Sequence, residues 1–167
     1  MNDKLVRVAA VTFLTGALAF AAAPAAAQYY AGASVGQFKE KESGETATGF
    51  KIFGGYEFNK NLAAEAAYVG SGTVKAAGGD FKVTGLTAAA VGTYPINDQF
   101  SLLGTVGLFH WSVSPGSISG NDIFFGAGAT YNISKILGVR AEYDRYKLGG
   151  DADTTVTALS VGVQYRF

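Results

Sequence analysis

The 167-residue chain has no cysteine, a single histidine and three prolines. Without thiols there is no disulfide framework, no thiolate zinc site and no cysteine nucleophile, and His110 alone cannot build a multi-histidine metal centre. Charge is also scarce: only 16% of residues are acidic or basic, and 13 of each sign balance to a formal net charge of zero. The basic surplus that a nucleic-acid partner requires is missing, which excludes that class. Past the first segment no run of 18 apolar residues occurs, so membrane-spanning helices are excluded there. No cofactor is implied. What the chain does have is 23 glycines, nine tyrosines and 12 phenylalanines.

The first segment is an export signal. Lys4 and Arg7 precede an apolar run over residues 8–23, interrupted only by Thr12 and Thr15. Pro24 and Ala25-Ala26-Ala27 follow, with small residues where a signal peptidase needs them. The apolar run is too short and too rich in alanine for a retained span. Residues 1–27 are therefore expected to be a signal peptide cut after Ala27, leaving residues 28–167 as one exported domain.

That domain reads with a period of two. Near its end Thr157, Leu159, Val161, Val163, Tyr165 and Phe167 alternate with Ala158, Ser160, Gly162, Gln164 and Arg166. Similar alternation marks eight segments, among them Phe50, Ile52 and Tyr56 against Lys51 and Phe53, and Leu137, Val139, Ala141 and Tyr143 against Arg140, Glu142 and Asp144. Short links at 59–61, 95–99 and 132–135 alternate with long polar ones at 39–47, 71–80, 112–121 and 149–154. Short turns on one side and long loops on the other are the wiring of an outer-membrane barrel.

A soluble sandwich also alternates, so the composition of the two faces decides. The less apolar face is dominated by Gly, Ala, Ser and Thr, too small for a typical solvated surface but suited to a crowded narrow lumen. The other face is aliphatic and ends in Tyr29, Tyr56, Phe58, Tyr94, Phe100, Tyr131, Tyr165 and Phe167, a ring of aromatics beside the short turns. Backbone groups in hydrocarbon must all be bonded internally, which demands closure. The expected fold is all-β: an eight-stranded antiparallel, up-and-down transmembrane β-barrel. Sixteen strands of about 10 residues would need more chain than exists, which excludes a general diffusion porin. The inward charges Lys51, Glu57, Glu65, Arg140, Glu142, Asp144 and Arg166 are nearly balanced in sign, as a self-paired, plugged lumen requires.

Several local words carry a family resemblance. Gly49-Phe50-Lys51-Ile52-Phe53-Gly54-Gly55-Tyr56-Glu57-Phe58-Asn59 with Leu62-Ala63-Ala64-Glu65-Ala66-Ala67-Tyr68, the Tyr94-Pro95-Ile96 turn, Val139-Arg140-Ala141-Glu142-Tyr143 and the closing Leu159 to Phe167 resemble the OmpA-like transmembrane domain and opacity-porin family. The resemblance implies an outer-membrane location in a Gram-negative bacterium, contact with outer-membrane lipid and lipopolysaccharide, and handling by the barrel assembly machinery. Val163, Tyr165 and Phe167 would be the assembly signal, and Glu65 and Arg140 match the family's inward acid and base. No wall-binding domain follows Phe167, so tethering to the wall is not expected.

The function that follows is structural: a monomeric envelope barrel without an open pore, making surface contact or adhesion to an extracellular ligand or host surface through its long loops. A small porin-like channel is one alternative. The other is a lipid A-modifying enzyme, because lipid A deacylases of similar architecture use a His-x-Ser pair at the outer rim, and His110-Trp111-Ser112 supplies one, with Asp122 as the candidate orienting acid. Gly32-Ala33-Ser34-Val35-Gly36 spells a nucleophile elbow but lacks the strand-to-helix turn that motif needs. Asp151-Ala152-Asp153 offers too few carboxylates for calcium.

Overall fold

The computed structural model describes residues 29–41, 44, 46–72, 74–76, 79–114, 118–149 and 154–167. The signal segment, with its cleavage point, and Asp151-Ala152-Asp153 lie outside them. Nine strands are present among the described residues: β1 Tyr29–Glu40, β2 Thr46–Asn59, β3 Leu62–Ser71, β4 Val74–Ala76, β5 Gly79–Pro95, β6 Phe100–Ser114, β7 Ile118–Asn132, β8 Leu137–Leu148 and β9 Thr154–Arg166. Every strand pairs antiparallel with its neighbour, β3 pairs β5, and β1 pairs β9 over Tyr30↔Arg166 to Glu40↔Val156. The three residues of β4 pair only with β5 and prolong the stave begun by β3, so the sheet closes as an eight-staved barrel. Closure gives each of the eight long strands two neighbours, and among the described residues only the short β4 has a single partner.

The period of two in the sequence becomes two surfaces. Val35, Ile52, Leu86, Val106, Leu108, Ile123, Leu159 and Val161 point outward and are more than half exposed. Tyr29 packs on Tyr56, Tyr56 on Phe58 and Tyr165 on Phe167, with ring centroids about 5 Å apart, at the short-turn end of this wall. The short turns are held by their own side chains. Asn97 Oδ1 accepts from the Gln99 and Phe100 amides, and Ser134 Oγ accepts from the Ile136 and Leu137 amides.

At the other end the structure departs from the expected loops. Residues 112–121 read as a loop, yet β6 runs to Ser114 and β7 resumes at Ile118, with His110↔Asn121 and Ser112↔Ser119 still in register. The connections at 39–47, 71–80 and 149–154 shorten in the same way. In β6 the outward face carries His110 and Ser112 in place of aliphatic residues, so the apolar alternation that identifies a strand disappears while the backbone ladder continues. The interior also differs from the expected face of small residues. Tyr30, Phe53, Leu103, Phe109, Trp111, Phe124 and Tyr146 all point inward and are buried.

Candidate functional site

Inward-facing positions of β2, β3 and β8 bring five charges together across the lumen. Lys51 Nζ lies 3.4 Å from Glu65, 3.1 Å from Glu142 and 3.6 Å from Asp144. The Arg140 guanidinium forks between Glu65 and Glu142, each at 2.6 Å. All five side chains are at most 4% exposed. Two cations face three carboxylates, and hydroxyl and amide groups add to the bonding, while Arg140 Nε and Asp144 Oδ1 are buried without a hydrogen-bond partner. Tyr30 donates to Glu65 at 2.9 Å, Tyr146 donates to Asp144 at 3.3 Å, and Arg140 donates to Gln164 at 3.3 Å. The Phe53 ring lies beneath both cations, 4.7 Å from the Arg140 guanidinium and 5.5 Å from Lys51 Nζ. Buried charges persist only when paired and bonded in this way.

Glycines make the room. A Cβ on Gly126 would collide with Asp144 Oδ1, and one on Gly55 would collide with the Tyr30 ring. Each of these glycines stands beside the side chain that fills its space, which is how large groups fit inside a narrow cylinder.

The ion cluster lies between two different regions along the barrel axis. On the hairpin side Val69, Phe109, Trp111, Phe124, Tyr146 and Ala158 form an apolar cap. Phe124 stacks on Tyr146 at 5.2 Å, Phe109 meets the same ring at 4.7 Å, and Trp111 Nε1 donates to Asp122 at 2.7 Å. On the short-turn side a cavity of about 680 Å³ opens outward, lined by Glu57, Asn97, Ser101, Asn132, Lys135 and Arg166 among others.

The seven charges expected to form one network therefore divide. Lys51, Glu65, Arg140, Glu142 and Asp144 are the buried cluster. Glu57 and Arg166 form a separate pair at 3.1 Å in the cavity mouth, where Arg166 also donates to Asn132 at 2.9 Å. Both are partly exposed, because the lumen widens toward water at that end. Sequence reasoning missed Tyr30, Tyr146, Gln164 and Phe53 as members of the cluster. Their inward parity was readable, but their partners are not, since Tyr30 and Glu65 are 35 residues apart and Lys51 and Glu142 are 91 apart. Val163, Tyr165 and Phe167 line the outward face at the end of β9, where the Phe167 amide donates to the Tyr29 carbonyl.

The residues of the enzymatic alternative do not converge. Ser112 lies within β6 rather than at the start of a loop, and it shares an outward, exposed face with His110. His110 Nδ1 is bonded to Asn121 Oδ1 at 2.8 Å. Asp122 points to the opposite face of the sheet, toward Trp111, and cannot orient the imidazole. Alternation across the pleat sends neighbours such as Asn121 and Asp122 to opposite sides.

Comparison with known proteins agrees with this architecture. A model of the outer membrane protein beta-barrel domain matches residues 8–167. Ail, the attachment invasion locus protein of Yersinia pestis, is 26% identical, with 84% of this chain and 99% of Ail covered and a TM-score of 0.61. Ail has also been solved in complex with the heparin analogue sucrose octasulfate. Neisserial surface protein A is 24% identical, with 83% of this chain and 97% of that chain covered and a TM-score of 0.65. The outer membrane enzyme PagL shares the fold at 12% identity, with 83% and 99% covered and a TM-score of 0.56. No curated protein sequence matches the chain.

Proposed function

The chain belongs to the family of outer membrane beta-barrel proteins, and from that premise we propose that it is a monomeric structural and surface-contact protein of the Gram-negative envelope, with no open diffusion pore and no enzymatic reaction. In this reading residues 1–27 are removed on export, and the assembly machinery recognises the Val163, Tyr165 and Phe167 face of β9. The long hairpins then stand at the outer surface and the short turns in the periplasm.

One observation carries the reading: polarity is inverted. Leu108 and Leu159 are 62% and 63% exposed, whereas Arg140, Glu142 and Asp144 are 2% exposed or less. Water would penalise that arrangement, and acyl chains favour it. The aromatic cap and the ion cluster lie in series along the lumen, so a permeating ion would have to displace both, which supports a closed interior. The separation of Asp122 from His110 supports a non-catalytic rim. The likeness to Ail and its complex with a polyanion supports an extracellular ligand for this chain as well.

Conductance of the purified protein in planar bilayers tests the reading. No stable single-channel step is expected, and a reproducible step would favour the porin-like alternative. The enzyme alternative predicts lipid A deacylation that disappears in His110→Ala, whereas no deacylation by either protein is expected.

A further inference from the structure

Among the described residues five buried side-chain atoms lack a hydrogen-bond partner, and four of them fall into two pairs that straddle a glycine. Thr105 on β6 pairs with Gly126 on β7, which pairs in turn with Asp144 on β8. Ser34 on β1 pairs with Gly162 on β9, which pairs with Arg140 on β8. In each row the bare glycine leaves room between the side chains on either side of it. The first row presents two oxygens, Thr105 Oγ1 and Asp144 Oδ1, whereas the second presents the Ser34 hydroxyl and an N–H donor, Arg140 Nε.

Asp144 Oδ1 lies where a Cβ on Gly126 would stand. Opposed Cβ positions on neighbouring strands are about 4.5–5.5 Å apart, so the Thr105 side chain is about 5 Å from that oxygen. Oxygens so spaced suit one ion between them, since calcium, close to sodium in radius, sits about 2.3–2.6 Å from each of its ligands. Thr105 and Asp144 are 5% and 1% exposed. Charge points the same way. Lys51 and Arg140 oppose Glu65, Glu142 and Asp144, which leaves this buried cluster one negative charge in excess. Lys51 Nζ and the Tyr146 hydroxyl both approach Asp144 on Oδ2, at 3.6 and 3.3 Å, and leave Oδ1 turned toward Thr105. An uncompensated buried charge is costly, and one small cation removes the excess.

We propose that the space over Gly126 is a binding site for one monovalent cation of sodium's size, held by Asp144 Oδ1 and Thr105 Oγ1, which brings the buried cluster to neutrality. A divalent ion overshoots that balance, and calcium needs about six or more oxygen ligands. The Ser34 and Arg140 pair over Gly162 offers a charged donor that repels a cation and takes an acceptor such as water, so it serves as an internal contrast. Thr105 and Asp144 meet only through the register of β6, β7 and β8, so the site exists in the folded barrel alone. A ligand that binds only the folded state makes stability depend on its concentration.

The test uses protein purified from membranes, unfolded in urea and refolded in phosphatidylcholine vesicles at fixed pH and ionic strength. Sodium chloride is exchanged for choline chloride, whose cation is too large for that space. The folded-to-unfolded ratio should rise with sodium, approaching about tenfold per tenfold of sodium once the site fills. Asp144→Asn should abolish this dependence. Thr105→Val keeps the shape and removes the hydroxyl, and it should weaken the apparent sodium affinity on the order of 10-fold. Ser34→Ala should keep the full dependence, and this pair of variants carries the comparison should Asp144→Asn fold poorly. Equal stability in sodium and choline would overturn the proposal, and so would a sodium dependence that survives in Asp144→Asn, which would place the ion elsewhere. A pH titration separates the remaining alternative: stability that rises as the pH falls and ignores sodium would also overturn the proposal, and would give Asp144 a proton in place of the ion.

Discussion

Arg140 shows what a single residue does in this lumen. It touches two carboxylates at 2.6 Å with almost no access to water, so its removal leaves three buried carboxylates facing Lys51 alone. Arg140→Ala is expected to destabilise the barrel by about 3–5 kcal/mol, because an unpaired buried charge costs more than a salt bridge contributes. Equilibrium urea unfolding in lipid vesicles measures this, and a loss under about 1 kcal/mol would show that water reaches the cluster. Glycines give a second residue-scale prediction. Gly126→Ala drives a methyl into Asp144 and should cost roughly 1–3 kcal/mol, as overpacking does. Gly104→Ala meets nothing within 4 Å and should be near neutral in the same titration. The identity of the ionic residues was legible in the sequence, since parity placed Lys51, Glu65, Arg140, Glu142 and Asp144 on inward faces. Most of their partners were not legible, because contacts such as Tyr30 with Glu65, Arg140 with Glu65 and Lys51 with Glu142 cross the barrel between residues 35, 75 and 91 positions apart.

At the scale of the element, the alternating pattern has direct consequences for β9. Val161 is 52% exposed on its outward side. Val161→Arg should therefore cost roughly 2–4 kcal/mol if it lies near the bilayer midplane. A change of a few tenths, read from unfolding in vesicles, would mean that this face does not meet lipid. At the strand's end, Phe167 packs on Tyr165 at 5.1 Å and closes onto β1 through its amide. Phe167→Ala keeps the backbone bond, so refolding into detergent should be little changed, while the amount of assembled barrel in cells falls if this face is the assembly signal. Equal loss in both assays would assign Phe167 a packing role instead. The strands were legible only where one face meets lipid. Their outer ends, such as His110 to Ser114, resemble loop sequence because the outward face there carries the polar His110 and Ser112 in place of aliphatic residues.

For the whole molecule, closure is the property from which the others follow. A cylinder in which every strand has two partners unfolds cooperatively and resists detergent at room temperature. Unheated samples of the membrane fraction should migrate faster on denaturing gels than boiled ones, and identical mobility would argue against a closed barrel. Closure also places the aromatic cap, the ion cluster and the 680 Å³ vestibule in series on one axis. The sequence by itself determined the class, the staves and which residues face each way, because a period of two is a local property that survives any arrangement of the strands. Only the tertiary structure decided which charges meet, that Glu57 and Arg166 stand apart from the cluster, and that large rings gather at the hairpin end of the lumen. Those outcomes depend on register between distant strands and on the width of the closed cylinder, and neither is encoded within any single segment.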